Sequence, residues 1–154
     1  MKPLFAVGII LLSVTLIFSG CKKDDPAPVV TQVKGTASFP AGTSGDLSNA
    51  KVSLYLTIDD WNSNSPIMFS AVTGGGASAA FTLSNLNAGN YYLDVWKDID
   101  NSGDWSSGDY IGWYGSGGLG SPALTPFQLA TGATFNCNVT MYIIAKGGML
   151  RKIN

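Results

Sequence analysis

The way breakers divide the apolar residues constrains this chain most. Beyond residue 20 no apolar repeat of helical period runs longer than two turns, and the 19 glycines and 7 prolines fall mostly between short apolar runs. That punctuation predicts an all-β chain. Alternation is clearest over 51–58, where Val52, Leu54, Leu56 and Ile58 share one face and Ser53, Tyr55 and Thr57 the other. It recurs over 135–143, with Phe135, Cys137, Val139, Met141 and Ile143 turned inward. Weaker candidates are 33–39, 66–72, 77–83, 91–97, 109–114 and 125–130. Seven or eight short strands with turn chemistry between them predict a single two-sheet sandwich.

Three segments refine that expectation: Val33-Lys34-Gly35-Thr36, then Leu47 through Leu54, then Phe81 through Leu93 with Leu86 and Gly89 in the connection. Over 33–97 this order resembles the transthyretin-like or carboxypeptidase-regulatory-like domains. The resemblance implies an Ig-like, prealbumin-like sandwich acting as a binding, spacer or accessory module without catalysis of its own.

The amino terminus reads as an address. Lys2 precedes an apolar run over 4–18, too short to span a bilayer comfortably as a helix, and Ser19 and Gly20 lead into Cys21. Phe18-Ser19-Gly20-Cys21 resembles a bacterial lipobox, with Phe18 where Leu is usual. Lys22, Lys23, Asp24 and Asp25 are similar to the export signal of Bacteroidota-type surface lipoproteins; the same four charges would also suit the solvated start of a linker. The resemblance implies a signal peptide over 1–20, a lipid-bearing Cys21, a tether over 21–30, and an outer-membrane protein facing the cell exterior. Several acyl chains on one residue would anchor it stably. With Cys21 lipidated, Cys137 has no partner for an intramolecular disulfide. The folded domain is then expected over 31–146, followed by a tail over 147–154.

All ten acidic residues are Asp, and the chain has neither Glu nor His. His-based triads and His-containing zinc sites are therefore excluded. A net charge of −1 with 12% charged residues leaves no basic patch for nucleic acid. Four of the ten acids fall within 98–109. Set on the positions of a calcium loop, Asp98, Asp100 and Ser102 stand at 1, 3 and 5, Gly103 makes the turn, Asp104 offers its carbonyl at 7, Ser106 stands at 9 and Asp109 at 12. Position 12 is Asp rather than Glu, and the flanks read as strands, so this would not be a helix-loop-helix site. A polar hairpin loop would use similar residues for turn geometry alone. A Ca²⁺ ion here would be structural, because its ligands would close the loop, whereas a hydrolytic metal needs an open position and a nearby base.

Gly115-Ser116-Gly117-Gly118-Leu119-Gly120 matches a dinucleotide fingerprint, but Pro122 and Pro126 follow and no acid lies beyond Asp109. A glycine-rich connection between strands is expected instead. Asp59 and Asp60 are adjacent and so are expected in a turn rather than as a catalytic pair. Trp61, Trp96, Trp105 and Trp113 are candidate platforms for stacking on sugar rings. The sequence thus predicts a non-catalytic, surface-anchored, calcium-stabilised module whose partner is a carbohydrate or another surface protein; a small Asp-dependent glycoside hydrolase is the alternative from another class.

Overall fold

The computed structural model describes residues 29–145. The expected signal peptide, Cys21, most of the tether and the tail over 147–154 lie outside the described residues. Within them are eleven strands and one short helix: β1 (Gln32–Ser38), β2 (Lys51–Tyr55), α1 (Ile58–Asn62), β3 (Met68–Ala71), β4 (Thr73–Gly75), β5 (Ser78–Ser84), β6 (Gly89–Lys97), β7 (Tyr110–Trp113), β8 (Gly115–Ser116), β9 (Ala123–Leu124), β10 (Phe127–Leu129) and β11 (Thr134–Ile143). The fold is all-β and sandwich-like. Every expected strand is present, and the higher count comes from β4, β8 and β9, whose two or three residues are too few to show alternation.

Hydrogen bonding runs in the order β3-β2-β6-β7-β11-β1-β5-β4, with β10 also paired to β6 and a separate β8–β9 ribbon. The β1–β11 pair is parallel and the rest are antiparallel. The two ends of that order, β3 and β4, are separated in the chain by Val72 alone, so the sheet folds over on itself. The larger of two apolar cores lies between the folded halves of the sheet: Val52 and Leu54 of β2 and Leu93 and Val95 of β6 cluster with Val33, Phe81, Leu83, Val139 and Met141. Burial of side chains of this size stabilises by about 1.5–3 kcal/mol each. Cys137 joins them, and burial pushes its thiol up to about 11, which makes it an inert core residue.

A second apolar cluster lies on the other side of the β2–β6–β7 region. Tyr55, Trp61, Trp105, Ile111, Trp113 and Ile144 form it, with Tyr92, Trp96 and Tyr142 packed against it. Both faces of β6 are therefore covered, which accounts for its run Tyr91-Tyr92-Leu93-Asp94-Val95-Trp96, apolar or aromatic at every position but one. The expected alternation over 51–58 fails for the same reason. Ser53 and Tyr55 are buried, the strand stops at Tyr55, and Leu56 and Ile58 are exposed.

The chain leaves β2 through α1, which carries Trp61 onto the second cluster. Its start is a reciprocal cap: Thr57 Oγ1 accepts from the Asp60 N–H at 3.0 Å while Asp60 Oδ2 accepts from the Thr57 N–H at 3.0 Å. The expected turn at Asp59 and Asp60 is thus one short helix. Asp94, the lone acid on β6, is buried beneath it and accepts from Trp61 Nε1 at 2.9 Å and from the Tyr55 hydroxyl at 3.2 and 3.3 Å. The glycine-rich stretch opens as β8 and returns as β9, and among the described residues no helix follows it. Its carbonyls at Ser116 and Gly117 accept from Trp113 Nε1 and the Tyr142 hydroxyl. Among the described residues no helix is long and apolar enough to cross a membrane.

Gly35 leaves no room for a side chain in the parallel pair. It lies opposite Cys137 on β11 and Phe81 on β5, and a Cβ there would run into the Cys137 carbonyl and the Phe81 ring. Gly35→Ala should destabilise the fold by about 2 kcal/mol or more through overpacking. Gly120→Ala, where an added Cβ meets nothing within 4 Å, should leave the midpoint of urea unfolding within error of wild type.

Candidate metal centre

Strands β6 and β7 pair antiparallel with Lys97 opposite Tyr110, so 98–109 is a twelve-residue connection between two neighbouring strands. The strand flanks expected for this loop are therefore present. Left-handed backbone at Asn101 (φ 57°) and Gly103 (φ 80°) turns the chain back toward the sheet. The loop's carboxylates organise the turn. Asp98 Oδ1 accepts from the Ser102 N–H at 3.1 Å and Oδ2 from the Gly103 N–H at 2.8 Å. Asp100 accepts from the Ser102 N–H at 3.1 Å and from the Ser106 hydroxyl at 2.9 Å. The Ser102 hydroxyl donates to the Asp104 carbonyl at 2.9 Å.

Asp109 closes the far end. It is fully buried, and its two oxygens accept from the Ile99 N–H at 2.8 Å, the Ser106 N–H at 3.0 Å and Trp96 Nε1 at 3.2 Å. The backbone at this end continues the ladder, with the Ile144 N–H donating to the Asp109 carbonyl and the Gly108 N–H to the Ile144 carbonyl. One carboxylate thus fixes the first turn of the loop, its last turn and the indole of the preceding strand.

All six residues predicted for the loop stand in one connected patch, but they differ in role. One oxygen each from Asp98, Asp100 and Asp109 lies within 4.8 Å of the other two. This acidic triad can hold a metal ion. The Asp104 side chain is exposed and outside the triad; Ser102 and Ser106 meet the acids as hydrogen-bond donors. The Ser102 side chain, the Ser106 hydroxyl and the Ser102 amide hold the Asp100 carboxyl below the usual carboxylate range, so it stays charged and available to a cation. Three gathered anions repel one another, and the surrounding N–H and O–H donors offset part of that repulsion.

Asp46 lies at the same end of the fold but does not join the triad. Its carboxylate accepts from the Ser48 hydroxyl, the Ser48 N–H and the Gly76 N–H, and Lys97 stands 3.8 Å away. Those bonds, the Ser48 ones foremost, hold its carboxyl well below the usual range. Lys97 also donates to the Asp46 carbonyl at 2.6 Å, which ties the segment before β2 to the residue preceding Asp98.

The four tryptophans separate sharply. Trp61, Trp105 and Trp113 are buried, so they correct the expectation of stacking platforms: they form the second core, with Trp61 edge-on to Trp105 at 5.5 Å and Trp113 stacked on Tyr142 at 5.4 Å. A Trp flanked by loop residues supplies the largest apolar cover in the chain, and here that cover is spent on a sheet face. Trp96 alone of the four remains half-buried, and it lines a cleft of about 600 Å³ beside the loop together with Asn49, Lys51, Asn64, Lys97 and Asp98. Apart from Asp98, which was predicted as a metal ligand, sequence reasoning did not find the other members of that cleft, because Lys51 reaches Trp96 only through the β2–β6 register. Nor did it find Asp94, whose single acid inside an aromatic strand was the available signal.

Compared against protein families, curated proteins and solved structures, the chain gives no match.

Removing the Asp109 carboxylate would leave two backbone N–H groups and an indole N–H without an acceptor, two of them tied to the loop's own turns. Asp109→Ala, measured in chelator so that no metal contributes, should cost about 3 kcal/mol or more in chemical unfolding. Asp104→Ala should cost less than about 0.5 kcal/mol, as surface substitutions do.

Proposed function

We propose that this chain is a non-catalytic, lipid-anchored surface protein whose β-sandwich presents a binding or structural module stabilised by Ca²⁺ on the 98–109 loop. The observation that carries the reading is the convergence of Asp98, Asp100 and Asp109 within 4.8 Å. Calcium suits this donor set because every candidate ligand atom is a hard oxygen and Ca²⁺ accepts six to eight of them in flexible geometry. Carbonyl and hydroxyl oxygens from Asp104, Ser102 and Ser106 are the further donors that its coordination calls for.

The non-catalytic reading rests on how the acids are used. Asp60 closes a helix cap, Asp94 is enclosed by Tyr55 and Trp61, and Asp109 is enclosed by its own loop. Each is committed to holding structure. The anchor rests on the lipobox-like segment ending at Cys21 and on the charged residues 22–25, and it gives an outer-membrane location with the sandwich facing outward. The partner would be a carbohydrate or another surface protein.

Calcium should raise the melting temperature of the purified protein and chelator should lower it; an excess a hundredfold over Kd corresponds to about 2.7 kcal/mol. The double replacement Asp98→Ala with Asp100→Ala should abolish the shift, and identical melts of the wild type with and without calcium would remove calcium from the reading. Inhibiting the signal peptidase that processes lipoproteins should leave the precursor uncleaved in cells, whereas normal maturation would remove the lipid anchor at Cys21.

A further inference from the structure

Strand β3 stands last in the hydrogen-bonding order, paired to β2 on one side, and among the described residues no strand lies on its other side. The ladder fixes which backbone groups face that open side. The Val72 N–H donates to the Ala50 carbonyl at 2.9 Å, so by antiparallel alternation Ser70 and Met68 also bond to β2, while Phe69 and Ala71 direct their N–H and C=O groups outward. The Ala71 carbonyl accepts from the Ser70 hydroxyl at 3.3 Å and keeps a second lone pair. Edges of this kind are ordinarily blunted by charge, by proline within the strand or by a bulge. Residues 61–93 carry no charge at all, and the one proline nearby, Pro66, precedes the strand. β3 runs on through Val72 into β4, the other end of the order, so both ends of the sheet belong to one uncharged segment.

The side chains there are bare as well. Phe69 is 61% exposed, and with Leu56, Ile58 and Ile67 it makes four of the eight large hydrophobics exposed among the described residues. Exposed apolar side chains gathered in one part of a fold mark an interaction surface. An open strand edge recognises another strand edge, and this one complements itself. About a two-fold axis at Phe69, antiparallel pairing sets Phe69 against its own copy and the small Ala71 against the large Ile67. Phe69 exchanges both of its bonds across the axis and the Ala71 N–H reaches the Ile67 carbonyl. The Ile67 N–H is already given to the Leu54 carbonyl, so the pair carries about four backbone bonds. Residues that face their own copies across such an axis must bring no like charges together, and the uncharged edge meets that condition. Lys51 stands over the Phe69 ring at 5.6 Å, but it belongs to β2, one strand in from the edge. We propose that the chain forms a two-fold dimer by antiparallel pairing of β3 with β3 of a second copy.

This dimer goes beyond the calcium-stabilised module and uses none of the loop's acids. The test takes the purified full-length chain in a mild non-ionic detergent, with photoreactive benzoylphenylalanine in place of Phe69. Illumination should give a covalent dimer whose crosslinked peptide maps to residues 65–73 of the second copy. The same group in place of Ile143, an exposed residue on β11, should give much less dimer, because association through the amino-terminal segment alone would not favour one position over the other. Ala71→Pro removes an N–H that faces away from β2 while leaving the ladder bonds, so it should lower the yield from position 69 about fivefold or more. Ala71→Lys keeps that N–H and places on the edge the charge that blunts such strands, and it should lower the yield by a similar factor. No covalent dimer from position 69, a crosslink mapping outside 65–73, equal yield from the Ile143 position, or a yield that both Ala71 variants leave unchanged would each overturn the pairing.

Discussion

The buried carboxylate of Asp109 is the constraint on which the functional end of this molecule depends. An isolated charge in an apolar setting is costly unless donors surround it, and three N–H groups do so here, from Trp96, Ile99 and Ser106. One comes from the end of β6 and the other two from opposite ends of the β6–β7 connection. Satisfying one acid therefore closes the loop, orients the indole that lines the cleft, and brings Asp98 and Asp100 toward Asp109. The metal-competent geometry is a consequence of that burial, with the ladder bonds between 108–109 and Ile144 holding its base.

Around that anchor the architecture solves an unusual packing problem. A sandwich ordinarily keeps one face of each sheet in water, but β6 is covered on both. The second layer is built from what sequence would treat as connections: α1 brings Trp61, the acidic loop brings Trp105, and the β8–β9 ribbon brings Leu119 and Leu124. The cover is aromatic and the sheet beneath it carries Asp94, so the layer includes indole and phenol donors that an aliphatic cover would lack. The loops at this end are thus packed elements, which suits a site whose ligands must be held in fixed positions.

Much of the fold was legible because strand periodicity is local. The alternation over 135–143 appears in β11 with Cys137, Val139 and Met141 inward, and the acidic loop lies between strands as its spacing implied. Legibility stopped where a side chain's surroundings came from elsewhere in the chain. Tyr55 and Ser53 alternate correctly for an exposed face yet are buried, since nothing in 51–58 announces that α1 and the acidic loop fold back over them. Three tryptophans looked like exposed platforms by the same omission. Strands β4, β8 and β9 left no periodic trace, because two or three residues cannot display a period.

What the amino-acid sequence determined alone is the class of structure and the chemistry on offer: strands, glycine-rich turns, and a loop whose acids stand at alternate positions, in a chain without His or Glu. These follow from local sterics and side-chain type. Only the tertiary structure decided which acids converge, that Asp104 stays outside while Asp109 is enclosed, and that Trp96 rather than its three counterparts lines a cleft with Lys51 and Lys97. Burial and convergence are set by the register of β6 against β2 and β7 and by the layer folded over them, and register is a relation between segments far apart in the chain.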